Sequence, residues 1–269
     1  MFCQPKSLEE ALEDKAELGE RGVIVAGGTD LVVLMNHGRA APEHLIDLSH
    51  CPGLGRVRRR RDGALELSGN ATFAACARLP ERALALAAQS VGGPGIRELG
   101  TVGGNLATAS PAGDGSTALL ALDAEIELRS VRGRRRLPVS SFFLGYRRTA
   151  LAPDEIITRI LVPAGYRSDW AKVGKRGAVN ISIVAAAVAV TPERSCRIAL
   201  ASVAPTPIRC LRAEEFLRRN GVAPESIREA AEIARGEVAP ITDHRASADY
   251  KTHLSGVLVR RLLENLCLS

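Results

Sequence analysis

The spacing of apolar and polar positions divides this chain into short elements. Ser7-Leu8-Glu9-Glu10 has capping-box spacing, a Ser and a Glu three residues apart each satisfying the other's free backbone N–H, and predicts a helix to about Glu17. Gly22 then leads into a strand over Val23 to Val25, Leu31 onward reads as a helical start, and Leu45-Ile46-Asp47-Leu48 predicts a second strand after Pro42. This α/β unit ends near Cys51-Pro52-Gly53. A second unit opens with Arg58 to Arg61, Asp62-Gly63 and Leu65-Glu66-Leu67, a hairpin whose Asp-Gly supplies the positive φ of a tight turn. A helix over roughly Glu81 to Ser90 follows, then the glycine-dense Gly92-Gly93-Pro94-Gly95, a helix near Thr117 to Leu122, strands on either side of Gly133, and a strand from Glu155 to Leu161.

Pro163-Ala164-Gly165 predicts a linker, and the texture changes after it. Ile181 to Val190 is too continuously apolar for a strand with one face in water, and Ile198 to Val203 is a second buried strand. Helices are predicted at Arg212 to Arg219, Pro224 to Arg235 and Tyr250 to Leu266, which makes the tail a small sheet with helices against it.

Composition narrows the function classes. With 269 residues, 46% of them hydrophobic, the chain has enough apolar residues for a substantial core and roughly two domains. No stretch approaches the ~20 apolar residues of a membrane span, and Met1-Phe2-Cys3-Gln4-Pro5-Lys6 does not read as a secretory signal, so a cytoplasmic protein is expected. The net charge of +6 raises nucleic acid, but the arginine runs fall at predicted turns and only 3% of residues are aromatic, too few for base-stacking platforms. The six cysteines are scattered without C-x-x-C spacing, which argues against an iron–sulfur cluster or zinc site in this chain. None of the five histidines has a partner pattern, and no residue is assigned a catalytic acid or base role.

The candidate chemistry lies in two paired-glycine stretches, Ala26-Gly27-Gly28-Thr29-Asp30-Leu31 and Thr101-Val102-Gly103-Gly104-Asn105. Consecutive N–H groups converge on an anion only where no Cβ obstructs and φ can be positive, and a helix starting just after adds its N-terminal partial charge. Neither stretch spells G-x-x-x-x-G-K-[ST] or G-x-G-x-x-G, so a P-loop and a Rossmann site are both disfavoured. Two such stretches suit one ligand with two phosphates, clamped from each side, although paired glycines also occur in ordinary tight turns.

These residues, read with Gly95 to Asp114, resemble the FAD-binding subunit of the xanthine dehydrogenase and carbon monoxide dehydrogenase family of molybdenum hydroxylases. Pro5 to Ala11, Gly69-Asn70-Ala71-Thr72, Leu119 to Ala124, Val203 to Arg209 and Arg245 to Tyr250 extend the similarity nearly end to end. The resemblance implies an α+β architecture: a two-subdomain FAD-binding fold of the PCMH/vanillyl-alcohol-oxidase type over residues 1–55 and 56–165, then a small α+β C-terminal domain over 166–269. It implies that the backbone of Ala26, Gly27, Gly28, Thr29 and Asp30 and of Gly103, Gly104 and Asn105 holds the pyrophosphate, with side-chain bonds from Thr29, Thr101 and Asn105, and that the flanking Val25 and Leu31 also bind the cofactor. Thr108, Ser110 and Asp114 would follow the ribityl or ribose part, and Val91, Ile157 and Lys172 the flavin or adenine ends. Ordinary core packing for Val91 and Ile157, a helix-capping role for Asp114 and a surface position for Lys172 are the structural alternatives.

The same resemblance implies one subunit of a heteromeric oxidoreductase. Molybdopterin and [2Fe-2S] clusters would reside on partner subunits, and FAD here would pass electrons to NAD or another acceptor. A non-catalytic assembly protein on the same fold and a stand-alone flavin reductase are the competing readings. Glu98 departs from the Asn common in relatives and is expected to set a carboxylate close to the second stretch. The tail leans toward the purine-oxidising members.

Overall fold

Ser7 caps the first helix as its spacing predicts. In a computed structural model, which describes residues 2–268, the Ser7 hydroxyl accepts from the Glu10 N–H at 3.1 Å, and the Glu10 carboxylate accepts from the Lys6 N–H at 2.8 Å. The first unit comprises β1 (Phe2–Cys3), α1 (Leu8–Leu18), β2 (Gly22–Val25), α2 (Leu31–Asn36) and β3 (His44–Asp47). Its strands form a parallel sheet in the order β1-β3-β2, and Ala11 and Leu12 of α1 are buried with Ile46.

The second unit begins with β4 (Val57–Arg59) and β5 (Leu65–Ser68), joined at Gly63, whose φ of +81° is the turn conformation expected of Asp-Gly. Five helices follow: α3 (Phe73–Cys76), α4 (Arg82–Ser90), α5 (Pro94–Leu99), α6 (Val102–Thr108) and α7 (Asp114–Ala121). The glycine-dense 92–95 stretch is thus partly helical, because Pro94 stands at the first helical position, where its missing N–H costs nothing. Strands β6 (Glu125–Ser130), β7 (Gly133–Pro138), β8 (Phe143–Gly145), β9 (Arg148–Thr149) and β10 (Ile156–Val162) complete the unit. An antiparallel sheet runs β4-β5-β10-β6-β7. Its inner face carries Leu65, Leu67, Ile126, Leu128 and Ile160 against the helices, each buried side chain contributing about 1.5–3 kcal/mol of transfer free energy.

The outer face of that sheet is charged. Arg58, Glu66, Arg159, Glu127 and Arg136, one from each strand in turn, form an alternating ladder with successive N–O separations of 2.8, 3.5, 3.6 and 3.0 Å. Period-two alternation in the strands delivers this: apolar neighbours turn inward and the charges turn out.

The remaining elements are β11 (Arg167–Val173), β12 (Val184–Val190), β13 (Cys196–Ala201), β14 (Ile208–Arg209), α8 (Leu211–Asn220), α9 (Pro224–Arg235) and α10 (Ala248–Cys267). The strands pair antiparallel in that order. Every residue of β12 is buried, as the continuous apolar run requires, because both faces are covered. Ala185, Ala187 and Ala189 share a core with α4 and α7, whereas Val184, Ala186 and Val188 pack with α8, α9 and α10. The alanine face lets the helices of the second unit lie close. Asp123, at a φ of +49°, closes the same contact: it accepts from Arg197 at 2.7 Å, Arg209 at 2.5 Å and the Tyr166 hydroxyl at 3.1 Å. The strand starts at Val184 rather than Ile181. Ile181 lies ahead of it, 57% exposed, beside the cavity described next.

Candidate functional site

The first paired-glycine stretch leaves β2 and enters α2, and close contact dictates both glycines. A Cβ on Gly27 would lie 1.7 Å from the Leu99 carbonyl oxygen, so this position presses the loop against the end of α5. Gly28 has a φ of +67°, a conformation side chains rarely adopt. The result is a turn in which the N–H groups of Gly27, Gly28, Thr29 and Asp30 donate to no acceptor among the described residues.

The second stretch differs from its expected form. It is not a loop but the N-cap and opening turn of α6: Thr101 Oγ1 accepts from the Gly104 N–H at 3.0 Å. Gly103 N–H donates to the Gly69 carbonyl at 2.9 Å, and a Cβ there would lie 2.4 Å from that oxygen, so the glycine serves the packing of α6 on the end of β5. The Asn105 N–H donates to the Thr101 carbonyl at 3.0 Å. All three amides expected to hold a pyrophosphate on this side are therefore spent within the fold. Side chains remain: the Asn105 NH2, whose Oδ1 partner is the Ser116 hydroxyl at 3.2 Å, and the hydroxyl protons of Thr101 and Ser110.

Both stretches face one cavity of about 580 Å3, within the usual range of small-molecule sites. Val25 through Leu31, Val91, Thr101, Gly103, Gly104, Asn105, Thr108, Ser110 and Ile157 all line it. Asp30 spans the two stretches: it makes no capping bond to α2, and its Oδ2 instead accepts from Thr108 Oγ1 at 3.3 Å.

Asp114 and Lys172 do not line the cavity. They form an ion pair behind its wall, at 2.8 Å, and Lys172 Nζ also donates to the Ser90 carbonyl at 3.1 Å and the Asn180 carbonyl at 3.2 Å. Asp114 opens α7 without capping it; its Oδ2 accepts from the Ser90 hydroxyl at 3.0 Å, and Oδ1 is buried without a partner. Burial pushes the Asp114 carboxyl up, against the pull of the Lys172 charge. Since Val91 and Ile181 adjoin Ser90 and Asn180, the pair staples two cavity-lining segments together. Lys172 is a half-buried internal cation rather than a surface residue.

Sequence reasoning missed several lining residues. Phe73 lines the cavity, and a Cβ on Gly115 would lie 2.9 Å from its ring. Asn70 ties β5 to the first unit, its Nδ2 donating to the Leu48 carbonyl at 2.9 Å. Asn70 lies in the Gly69-Asn70-Ala71-Thr72 motif and Phe73 follows it, and that motif was the available signal. Glu155, another lining residue, accepts from Arg135 at 2.6 and 2.8 Å, and that guanidinium holds its carboxyl below the usual range. Glu98, by contrast, is exposed and does not line the cavity.

Among the described lining residues the carboxylates are Asp30 and Glu155, each already engaged. Free N–H donors stand at one part of the cavity and apolar side chains, including Leu34, Phe73, Val91, Ile96 and Ile156, form much of the rest. Such a site suits a molecule that carries both an anionic group and apolar surface. The residues present fit a flavin dinucleotide.

Two families match the sequence: "FAD binding domain in molybdopterin dehydrogenase" over residues 1–165 and "CO dehydrogenase flavoprotein C-terminal domain" over 170–266. The chain is 34% identical over 275 residues to the carbon monoxide dehydrogenase medium chain of Hydrogenophaga pseudoflava, covering 97% of this chain and 95% of that one. It is 32% identical over 272 residues to the nicotine 6-hydroxylase medium subunit of Paenarthrobacter nicotinovorans, with 97% and 95% covered. A putative xanthine dehydrogenase FAD-binding subunit of Escherichia coli is 29% identical over 253 residues, with 89% and 87% covered. In three dimensions, the carbon monoxide dehydrogenase of Hydrogenophaga pseudoflava that lacks the Mo-pyranopterin moiety of its cofactor superposes with a TM-score of 0.92 at 32% identity, over 98% of this chain and 96% of that one.

Proposed function

Because this chain belongs to the FAD-binding medium subunits of the xanthine dehydrogenase and carbon monoxide dehydrogenase family, we propose that its cavity holds FAD and that the subunit is the outlet of an electron-transfer complex. Electrons enter from iron–sulfur clusters on one partner subunit, supplied by a molybdopterin-binding subunit, and leave to NAD or another acceptor. When bound, FAD supplies the junction between one-electron donors and two-electron acceptors.

The observation that carries the assignment of the site is the run of N–H groups at Gly27 to Asp30, free of acceptors and beside the positive-φ Gly28. These amides hold the pyrophosphate from one side, and Asn105 Nδ2 and the Thr101 hydroxyl reach it from the other. Thr108 and Ser110 serve the polyol or ribose part, and Val91, Ile157 and Ile181 pack on the rings. Asp114 and Lys172 act indirectly, by fixing the Val91 and Ile181 segments. In this reading residues 1–55 and 56–165 form the two halves around the cofactor, and 166–269 form the platform beneath the second half.

No helix among the described residues is long and apolar enough to cross a membrane, in keeping with a complex that works in the cytoplasm. The choice of oxidised substrate belongs to the molybdopterin partner. Relatives named for carbon monoxide, nicotine and xanthine are 34%, 32% and 29% identical to this chain, so the tail's lean toward purines selects none of them.

Gly28→Val tests the site. A β-branched residue at φ +67° is strained, and its Cβ would meet Val32 Cγ2 at 3.1 Å. The purified variant is expected to lack flavin absorbance while keeping the circular dichroism of a folded protein. Normal flavin content would mean that this loop does not hold the cofactor.

A further inference from the structure

A second cavity, of about 200 Å3, opens on the outer face of the five-stranded sheet where the first unit meets it. Four guanidiniums line it, those of Arg56, Arg58, Arg129 and Arg159, against the two carboxylates of Glu66 and Glu127, an excess of two positive charges. The carboxylates are already shared. Glu66 binds Arg58 at 2.8 Å and Arg159 at 3.5 Å. Glu127, its side chain 1% exposed, takes Arg136 at 3.0 Å and Arg159 at 3.6 Å. Arg136 and Glu9, which approaches Arg129 at 3.8 Å, add charges that cancel, so the excess stands.

Two of the guanidiniums keep their donors. Arg56, whose side chain passes Gly53, donates to no acceptor among the described residues. Arg129 has only the long Glu9 contact, beyond hydrogen-bond distance. The Ser68 hydroxyl lines the same wall.

From this arrangement we propose that the cavity is a site for a tetrahedral dianion, a phosphate group that is either free or carried on a small molecule. The excess charge matches the ≈ −1.5 to −2 of a phosphate monoester near neutral pH. The planar fork of arginine suits bidentate bonding to phosphate oxygens. At ~30 Å3 per water the cavity has room for an anion and a few waters, and none for a second dinucleotide. A bound anion would touch Arg56 and Gly53 near the first unit and Arg129 and Arg159 on the sheet, and would therefore stabilise their junction.

Thermal unfolding of the flavin-loaded subunit, titrated with inorganic phosphate or with glycerol phosphate against sodium chloride at matched ionic strength, tests this. Wild type is expected to give a saturable rise in Tm with phosphate. A tighter response to glycerol phosphate would identify a carried phosphate, and a tighter response to inorganic phosphate a free one. Arg56→Gln, at an exposed residue with no side-chain partner to lose, is expected to weaken the apparent affinity about tenfold or more. Arg61→Gln, on the same hairpin outside the cavity, is expected to respond as wild type, and flavin content should be unchanged in both. Phosphate also stabilises proteins generally by exclusion from their surfaces. A linear rise shared equally by wild type and Arg56→Gln would be that effect, and would overturn the proposal.

Discussion

Replacing Gly27 by Ala puts a methyl carbon 1.7 Å from the Leu99 carbonyl oxygen and 2.4 Å from its carbon. A carbon–oxygen contact needs about 3.3–3.6 Å, so the loop and the end of α5 must part by roughly 1.6–1.9 Å. Both atoms on the α5 side are backbone, so no rotamer change relieves the clash. Overpacking of this kind costs about 1–3 kcal/mol, which in a chain of this size lowers Tm by roughly 2–12 °C. Cofactor binding is expected to suffer more. If the shift removes the Gly28 and Thr29 N–H groups from a phosphate, at about 1.5–3 kcal/mol for each charge-assisted bond, FAD affinity falls by roughly two to four decades. Flavin-to-protein ratio after gel filtration, and FAD titration of the stripped protein by flavin fluorescence, measure this directly. Gly95→Ala is the matched control, because a Cβ there has no heavy atom within 4 Å. A Gly27→Ala protein with the flavin ratio and Tm of Gly95→Ala would refute the loop contact and the pyrophosphate assignment built on it.

Thr101→Ala removes the N-cap of α6 and frees the Gly104 N–H; a loss of about 0.5–2 kcal/mol is expected in chemical denaturation, together with weaker FAD retention. Unchanged values for both would remove Thr101 from the site. Asp123→Asn takes one of its two carboxylate partners from Arg209, 11% exposed, at a cost of about 1–3 kcal/mol near neutral pH. Burial pushes the Asp123 carboxyl up, but hydrogen bonds from Arg197 and Arg209 and their charges outweigh it and hold the carboxyl below its ordinary 3.8. A carboxyl depressed in the folded state adds stability that is present above its unfolded value and is lost as pH falls through the folded one. The wild-type advantage over Asp123→Asn is therefore expected to shrink below about pH 4, and a difference constant across the acid limb would contradict the pairing.

Much of the local structure was legible in the chain itself. Ser7 with Glu10, Asp62-Gly63 and the run ending at Val190 each fix backbone geometry through near neighbours, and the helix, hairpin and doubly buried strand they predict are present. The glycines of both stretches marked where backbone comes close, because the absence of a Cβ is visible in sequence. What the glycines approach was not. Gly27 meets Leu99, a contact that exists only once the two units pack, and Gly103 meets Gly69, a contact made when α6 packs on the end of β5 within the second unit. Packing inside the second unit, with Thr101 as N-cap, made the second stretch a helix start and spent its amides, which its resemblance to the first had concealed.

The sequence determined the inventory: the donors, the family, and the alternation that turns charges to one face of the sheet and leucines to the other. Tertiary structure determined which groups meet. Asp114 and Lys172 lie 58 residues apart and pair behind the cavity wall, while Ile181, expected in the strand, lies ahead of it and lines the cavity. Phi preferences and periodicity act over a few residues and can be read from order alone. Ion pairing and desolvation depend on distance in space, which only the folded chain sets.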